Sequence, residues 1–300
     1  MAKICYKEKT FHGSSLSLIG KIDGVTEEYK EKGYSLTLRQ CYYQLVARGI
    51  IENTAKSYKR IQNLMSEARL AGLIDWNAIT DRTRNLKTFD AWENPADIIR
   101  SAAHSYKLDL WKRQPCYIEC WIEKDALIDI AGRACTKTRT PFFSCRGFNS
   151  QSEMWAAAER FIRQGKNREA CYIIHLGDHD PSGLDMTRDI QERLYMFGAN
   201  VQVKRIALNM EQVEQYNPPP NFAKETDTRY KDYVKQYGGQ SWELDAMRPE
   251  VIETLIHENI LEFLDMTEFE KVLMREEAQR RELFAIADNY GAALHGTAQS

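Results

Sequence analysis

Leu176-Gly177-Asp178-His179-Asp180-Pro181-Ser182-Gly183 carries the reading of this chain. A short apolar run, Cys171 to Leu176, leads into it, and Tyr117 to Ile122 leads into Glu123-Lys124 in the same way. Short apolar runs bounded by turn signals and helical patterns predict buried parallel strands. Glu123, Asp178 and Asp180 then stand at the ends of two strands, the edge at which open α/β sheets place their sites. Residues two apart in an extended segment share a side, so Asp178 and Asp180 point together and His179 points elsewhere. Asp180 by itself reads equally well as the cap of the helix that Pro181 begins. Taken with Asp178 and Glu123 it predicts a set of oxygen ligands for a hard divalent cation, Mg2+, and so metal-dependent chemistry on phosphates.

Outward from this motif the pattern alternates. Strands at 117–122, 142–145, 171–176 and 201–207 interleave with helices near 125–135, from Ser150 onward and at 181–197. Ser150-Gln151-Ser152-Glu153 matches a capping box. Alternation of this kind predicts an α/β fold with a parallel sheet. Beyond Pro218-Pro219-Pro220, helices near 249–264 and 267–288 form a helical C-terminal extension. Trp242-Glu243-Leu244-Asp245 offers two further acids at spacing two, read as a turn or cap in preference to metal ligands.

The N-terminal part is helical: 15–32, a second helix opened by Thr37 and ended by Gly49, and a third over Ala55 to Leu70. Leu73 to Ile79 follows as an extended segment. Three helices and a strand predict a helix-turn-helix variant with a wing, a winged-helix domain over 1–88. Residues 89–115 form a connector, and 116–300 the α/β domain with its extension. The third helix presents Lys56, Lys59 and Arg60, and the wing leads into Arg82 and Arg84. These charges read equally as a solvated helix face or as a helix entering a major groove while flanking cations meet phosphate; the second reading predicts double-stranded DNA as the partner.

Net charge is −2, from 41 Lys and Arg against 43 Asp and Glu. Residues 1–115 hold 19 basic and 13 acidic residues, a balance of +6; the remainder holds 22 and 30, a balance of −8. A basic half joined to an acidic half suits phosphate binding beside metal binding. No apolar run reaches the roughly 18 residues of a membrane span, and the first residues lack the apolar core of a signal peptide. Seven cysteines without a Cys-x-x-Cys pair read as reduced thiols. Together these predict a cytoplasmic protein without membrane attachment, nucleoid-associated if prokaryotic or viral.

Ile122-Glu123-Lys124-Asp125-Ala126, Gly147-Phe148 and Gly177-Asp178-His179-Asp180-Pro181-Ser182-Gly183 together resemble a Toprim domain, shared by topoisomerases, primases and some nucleases. In the subgroup resembled most, Asp-x-Asp-Pro-x-Gly matches position by position. The resemblance implies magnesium bound by Glu123, Asp178 and Asp180. Leu38-Arg39-Gln40-Cys41-Tyr42-Tyr43 resembles the Arg-Asp-x-Tyr/Phe-Tyr signature of the winged-helix domain in the topoisomerase VI A subunit. The meiotic double-strand-break transesterase shares that signature. Gln40 stands where that family usually has an acid. The resemblance covers about residues 15–210, in the same domain order, and is nearest to short stand-alone homologues of the A subunit. It implies that Tyr43 is the nucleophile, that cleavage leaves DNA joined to it through a 5′ phosphate, and that a homodimer pairs one subunit's tyrosine with the other's acids. No Gly-x-x-x-x-Gly-Lys-Ser/Thr loop occurs, so ATP-driven strand passage needs a separate ATPase subunit.

The residues make a case of their own. A phenol with pKa near 10 must be activated to act as a nucleophile. Arg39 lies one helical turn before Tyr43, where its fork can hold a phosphate or steady a phenolate. Lys124 is placed either to contact phosphate or to pair with an acid. Two rivals stand beside transesterification: a Toprim-type metal-dependent nuclease using water, and a DNA-binding subunit without catalysis.

Overall fold

The structure, a computed structural model, describes residues 3–79 and 89–297. Three helices come first, α1 (Gly13–Glu31), α2 (Leu38–Ala47) and α3 (Ala55–Leu70). Thr37 and Gln40 close a reciprocal capping box at the start of α2: Gln40 Oε1 accepts from the Thr37 amide at 2.7 Å and Thr37 Oγ1 accepts from the Gln40 amide at 3.3 Å. Gln40 thus does local work at the position where the resembled family carries an acid. Thr54 caps α3 through the Ser57 amide. Leu18, Ile22, Val25 and Tyr29 of α1 meet Cys41, Tyr42 and Leu45 of α2 and Ile61 and Met65 of α3 in one core.

The expected strand over Leu73 to Ile79 does not form. Asp75 is fully buried; it accepts from the Asn77 amide at 2.9 Å and pairs with Lys30, bending Trp76–Ala78 into a 3-10 turn. A buried carboxylate draws in nearby donors, and here that overrides extension. Ile79 keeps a single parallel bridge, to Leu36. Arg82 and Arg84 lie outside the described residues.

Within residues 89–115, α4 (Pro95–Ser105) begins at an Asn94 cap and packs its alanine face toward α11 (Met266–Thr297). Arg100 pairs with Asp288, and the His104 ring meets Phe284 edge-on.

Strands β1 (Cys116–Ile122), β2 (Phe142–Ser144), β3 (Ala170–Leu176) and β4 (Gln202–Ala207) form a parallel sheet in the order β2-β1-β3-β4. The connections run through α5 (Ile128–Thr136), α6 (Gln151–Gly165) and α7 (Pro181–Met196). Side chains alternate along each strand, so the sheet buries two faces. Ile118, Cys120, Ile122, Ile174 and Leu176 pack with α5 and α10 (Pro249–Leu261); Tyr117, Trp121, Cys171 and Ile173 pack with α6 and α7. Glu119 lies among the second set at 2% exposure, and four donors hold it: Arg160 Nε and Nη2, the Tyr117 hydroxyl and Trp121 Nε1. After β4 the chain forms α8 (Met210–Tyr216) and a hairpin of β5 (Asn221–Phe222) with β6 (Gln240–Ser241) around α9 (Tyr230–Tyr237). It then makes a 3-10 turn at Leu244–Ala246 before the C-terminal helices α10 and α11. No helix among the described residues is long and apolar enough to cross a membrane.

Candidate active site at the sheet edge

The turn after β3 is built by close approach. A Cβ on Gly183 would lie 2.3 Å from the Asp178 carbonyl oxygen, and one on Gly177 would lie 2.8 Å from Glu123 Oε2. Only glycine lets backbone and carboxylate come this near. Asp180 caps α7, its Oδ1 accepting from the Gly183 amide at 2.6 Å, with Pro181 in the first turn. Beneath the turn, Arg205 of β4 donates to the carbonyls of Gly177, Asp178 and Gly183 at 2.9, 2.6 and 2.9 Å. His179 faces away, as its spacing predicts: its backbone bridges Trp242, and its Nδ1 lies 2.9 Å from the Tyr233 hydroxyl. The histidine therefore fastens the β5–β6 segment over the sheet edge.

His175, fully buried on β3 four residues earlier, lies 2.8 Å from Thr187 Oγ1 through Nδ1. Burial, with Arg205 nearby, pushes its pKa down from 6.5 to about 3. The unfolded imidazole takes up a proton near pH 6.5 and the folded one only near 3, so unfolding binds a proton in between. Stability is then lost as pH falls through this window, at up to about 1.4 kcal/mol per pH unit. His175→Gln is expected to flatten that slope between about pH 4 and 6 in urea titrations. An unchanged slope would assign the acid sensitivity to other groups.

The three predicted ligands meet at the C-terminal ends of β1 and β3, but most of their oxygens are engaged. Glu123 Oε2 accepts from the Asp178 amide at 2.9 Å. Asp178 Oδ1 accepts from the Leu244 amide at 2.8 Å, and Oδ2 lies 2.9 Å from Lys124 Nζ. Glu123 Oε1 and Asp180 Oδ2 make no hydrogen bond to a described residue. Burial raises the pKa of Glu123, and the Asp180 charge adds to it; burial also raises Asp178, and Glu123 adds to that. Carboxylates that disfavour each other's charge, with two free oxygens, fit the chemistry of a hard cation. They do not close on one as they stand: among the described residues no three Asp, Glu, His or Cys form a ready metal set.

A lysine ammonium holds the central place. Lys124 Nζ lies 2.9 Å from Asp178 Oδ2, 2.8 Å from Glu243 Oε2 and 3.0 Å from Asp245 Oδ2. Arg39 reaches in from α2 to Glu243 and, at 3.4 Å, to Asp245. Burial alone depresses Lys124, but the three carboxylates outweigh it and hold its pKa above the usual lysine value. For Glu243 burial raises the pKa, yet Lys124 and Arg39 prevail and hold it below the usual range. Lys124 thus pairs with acids, one of the two roles its position predicts. Glu243 and Asp245 stand at the 3-10 turn Leu244–Ala246, as the turn reading from sequence expects, and they also line the two clefts of the site. Their spacing-two acids were the available signal; what the sequence does not carry is the return of this segment across the sheet edge.

Tyr42 and Tyr43 are both buried, at 3% and 4% exposure. The Tyr42 hydroxyl donates to Asn53 Oδ1 at 3.0 Å and packs inside the helical core. The Tyr43 hydroxyl instead receives the Asn221 amide at 3.1 Å, with the Arg39 guanidinium 5.9 Å from the ring centroid. Burial, then Glu243, push the Tyr43 phenol up to about 12, against the opposing pull of Asn221 and Arg39. A cleft of about 580 Å³ is lined by Arg39, Tyr43, Lys124, Asp178, Asp180, Asn221 and Glu243. Glu123 lines an adjoining cleft of about 320 Å³ that shares Arg39 and Lys124. Thr54, Ala55 and Tyr58 bring the start of α3 to the larger cleft, while Lys56, Lys59 and Arg60 are exposed on that helix. Tyr43, Arg39 and the aspartates of one chain therefore share one cleft, although the resembled family pairs them between subunits. Comparison of the chain with known protein families, curated proteins and solved structures finds no match.

Proposed function

We propose that this protein is a magnesium-dependent DNA-cleaving transesterase resembling the topoisomerase VI A subunit, with a winged-helix-like N-terminal part and a Toprim-type sheet. The observation that carries the reading is the shared cleft: a tyrosine hydroxyl, an arginine and two strand-end aspartates open onto one space. In the reaction, Tyr43 Oη bonds to phosphorus as the bond to the 3′ oxygen breaks. The phenolic proton is released, the 3′ oxygen takes one up, and DNA stays joined to the protein through a 5′ phosphotyrosine. Arg39 stands to bind the phosphate and offset the charge on the phenolate. Glu123, Asp178 and Asp180 are the residues that would hold Mg2+, which when bound supplies Lewis-acid stabilisation of charge on the phosphate oxygens. The exposed Lys56, Lys59 and Arg60 of α3 supply the duplex contacts. A homodimer would set two such clefts against two strands, and a separate ATPase subunit would be required for strand passage.

Plasmid cleavage with magnesium, resolved on denaturing gels with and without protease, tests this. The wild-type chain is expected to leave protein on the 5′ ends. Tyr43→Phe is expected to reduce that adduct by at least about a thousandfold while leaving DNA binding intact. A persisting adduct would move the nucleophile elsewhere. The burial of Tyr43 and its raised pKa favour one second reading, hydrolysis by water with Tyr43 structural. Free 5′ phosphates bearing no protein would select it.

A further inference from the structure

Three donors from three separate elements converge on one carboxylate. Glu243 receives the Arg39 guanidinium from α2, the Lys124 ammonium at 2.8 Å from the end of β1, and the Asn221 amide at 3.2 Å from β5. The orientation of that amide follows from its neighbours: a carboxylate only accepts, so Nδ2 faces Glu243, and Asn221 Oδ1 accepts from Asn53 Nδ2 at 2.6 Å. The same Nδ2 lies 3.1 Å from Tyr43 Oη. An anion held by Arg39, Lys124 and Asn221 is therefore a neighbour of the phenol.

We infer that these three residues form an oxyanion seat for a DNA phosphodiester, and that Glu243 closes it by standing in the place of the phosphate. This deepens the function proposed above and rests on it. Both occupants are monoanions, so exchanging one for the other leaves the charge around Arg39 and Lys124 unchanged. Phosphodiester oxygens, like carboxylate oxygens, accept from a guanidinium fork, an ammonium and an amide N–H. Glu243 keeps 21% of its side chain exposed and lines the cleft, so it has a path into solvent, whereas Asp245 is fully buried and remains as counter-charge. The seat explains why two cations at the nucleophile both stand neutralised: a closed latch holds them until DNA competes for them.

The test measures duplex DNA binding against salt concentration in a Tyr43→Phe background, where no adduct forms. Glu243→Gln keeps the shape and one acceptor but removes the charge. It is expected to tighten binding roughly tenfold and to steepen the log–log salt dependence by about 1, because each neutralised phosphate contributes about 0.9 and the seat takes one. Adding Arg39→Ala to Glu243→Gln is expected to remove about half of the added slope. Glu211→Gln, an exposed acid on α8, serves as the control for simple loss of negative charge. Unchanged affinity and slope for Glu243→Gln, or an equal gain from Glu211→Gln, would overturn the seat. Thermal melting of each variant separates a folding defect from an open latch, and Glu243→Ala gives a second opened form that must show the same steeper slope. The two readings fail separately: a steeper slope with no Tyr43 adduct leaves the seat and removes transesterification, and an adduct with unaltered slopes does the reverse.

Discussion

Gly183→Ala is expected to lower the stability of the fold by about 3 kcal/mol and, under the function proposed above, to abolish DNA cleavage. Two effects oppose each other at this position. Alanine is the better helix former by about 1 kcal/mol, and residue 183 lies in the first turn of α7. Its Cβ, however, would stand 2.3 Å from the Asp178 carbonyl oxygen, with the carbonyl carbon and amide nitrogen near 3 Å. The obstacle is backbone, so no flexible side chain can swing aside. Relief requires moving the Asp178 peptide or the start of α7, which strains the Asp180 cap bond at 2.6 Å and the Arg205 bond to the Asp178 carbonyl. Packing strain of this kind outweighs the propensity gain. Urea denaturation together with the DNA-adduct assay checks it; a variant as stable as wild type would mean that the turn yields at little cost.

Arg160→Ala is expected to cost a similar amount for a different reason, about 3 kcal/mol. Glu119 sits between the sheet and α6 with 3% of its side chain exposed, and Arg160 supplies two of its four hydrogen bonds at 2.6 and 2.9 Å. Removing the arginine leaves a buried charge held only by the Tyr117 hydroxyl and Trp121 Nε1. The value belongs at the lower end for broken buried pairs because Arg160 keeps 35% of its side chain in water, which screens the interaction. The double substitution Glu119→Met with Arg160→Met is expected to recover much of the loss, since it removes the stranded charge as well. Chemical denaturation of the single and double variants decides the matter; equal losses in both would show that packing volume, and not charge, set the cost.

The strands were legible because their signal is local. Tyr117 to Ile122 and Cys171 to Leu176 are mostly apolar on both faces, Glu119 and His175 excepted, and both faces are covered by helices, the pattern a buried parallel strand requires. The aspartate turn was legible for the same reason: its alternation, proline and two glycines act within eight residues. The segment at Leu73 to Ile79 misled, since a buried Asp75 bends it and its partner Lys30 lies far off in sequence. Helix α4 hides in residues 89–115 because its buried positions, Ala96 and Ala103, are small, while the larger Ile98 stands exposed.

The chain by itself determined the parallel sheet, the helical N-terminal part and the placing of Glu123, Asp178 and Asp180 at strand ends, since periodicity and turn chemistry are short-range properties. Only the tertiary structure decided what surrounds them. Asn221, Glu243 and Asp245 come from a segment whose strands are two residues each, too short to carry a repeat. Long-range pairing through His179 and Trp242 lays that segment over the sheet edge. Arg39, Tyr43, Lys124 and the aspartates share one cleft because α2 docks there, and ion pairs between residues 204 positions apart have no signature in sequence order.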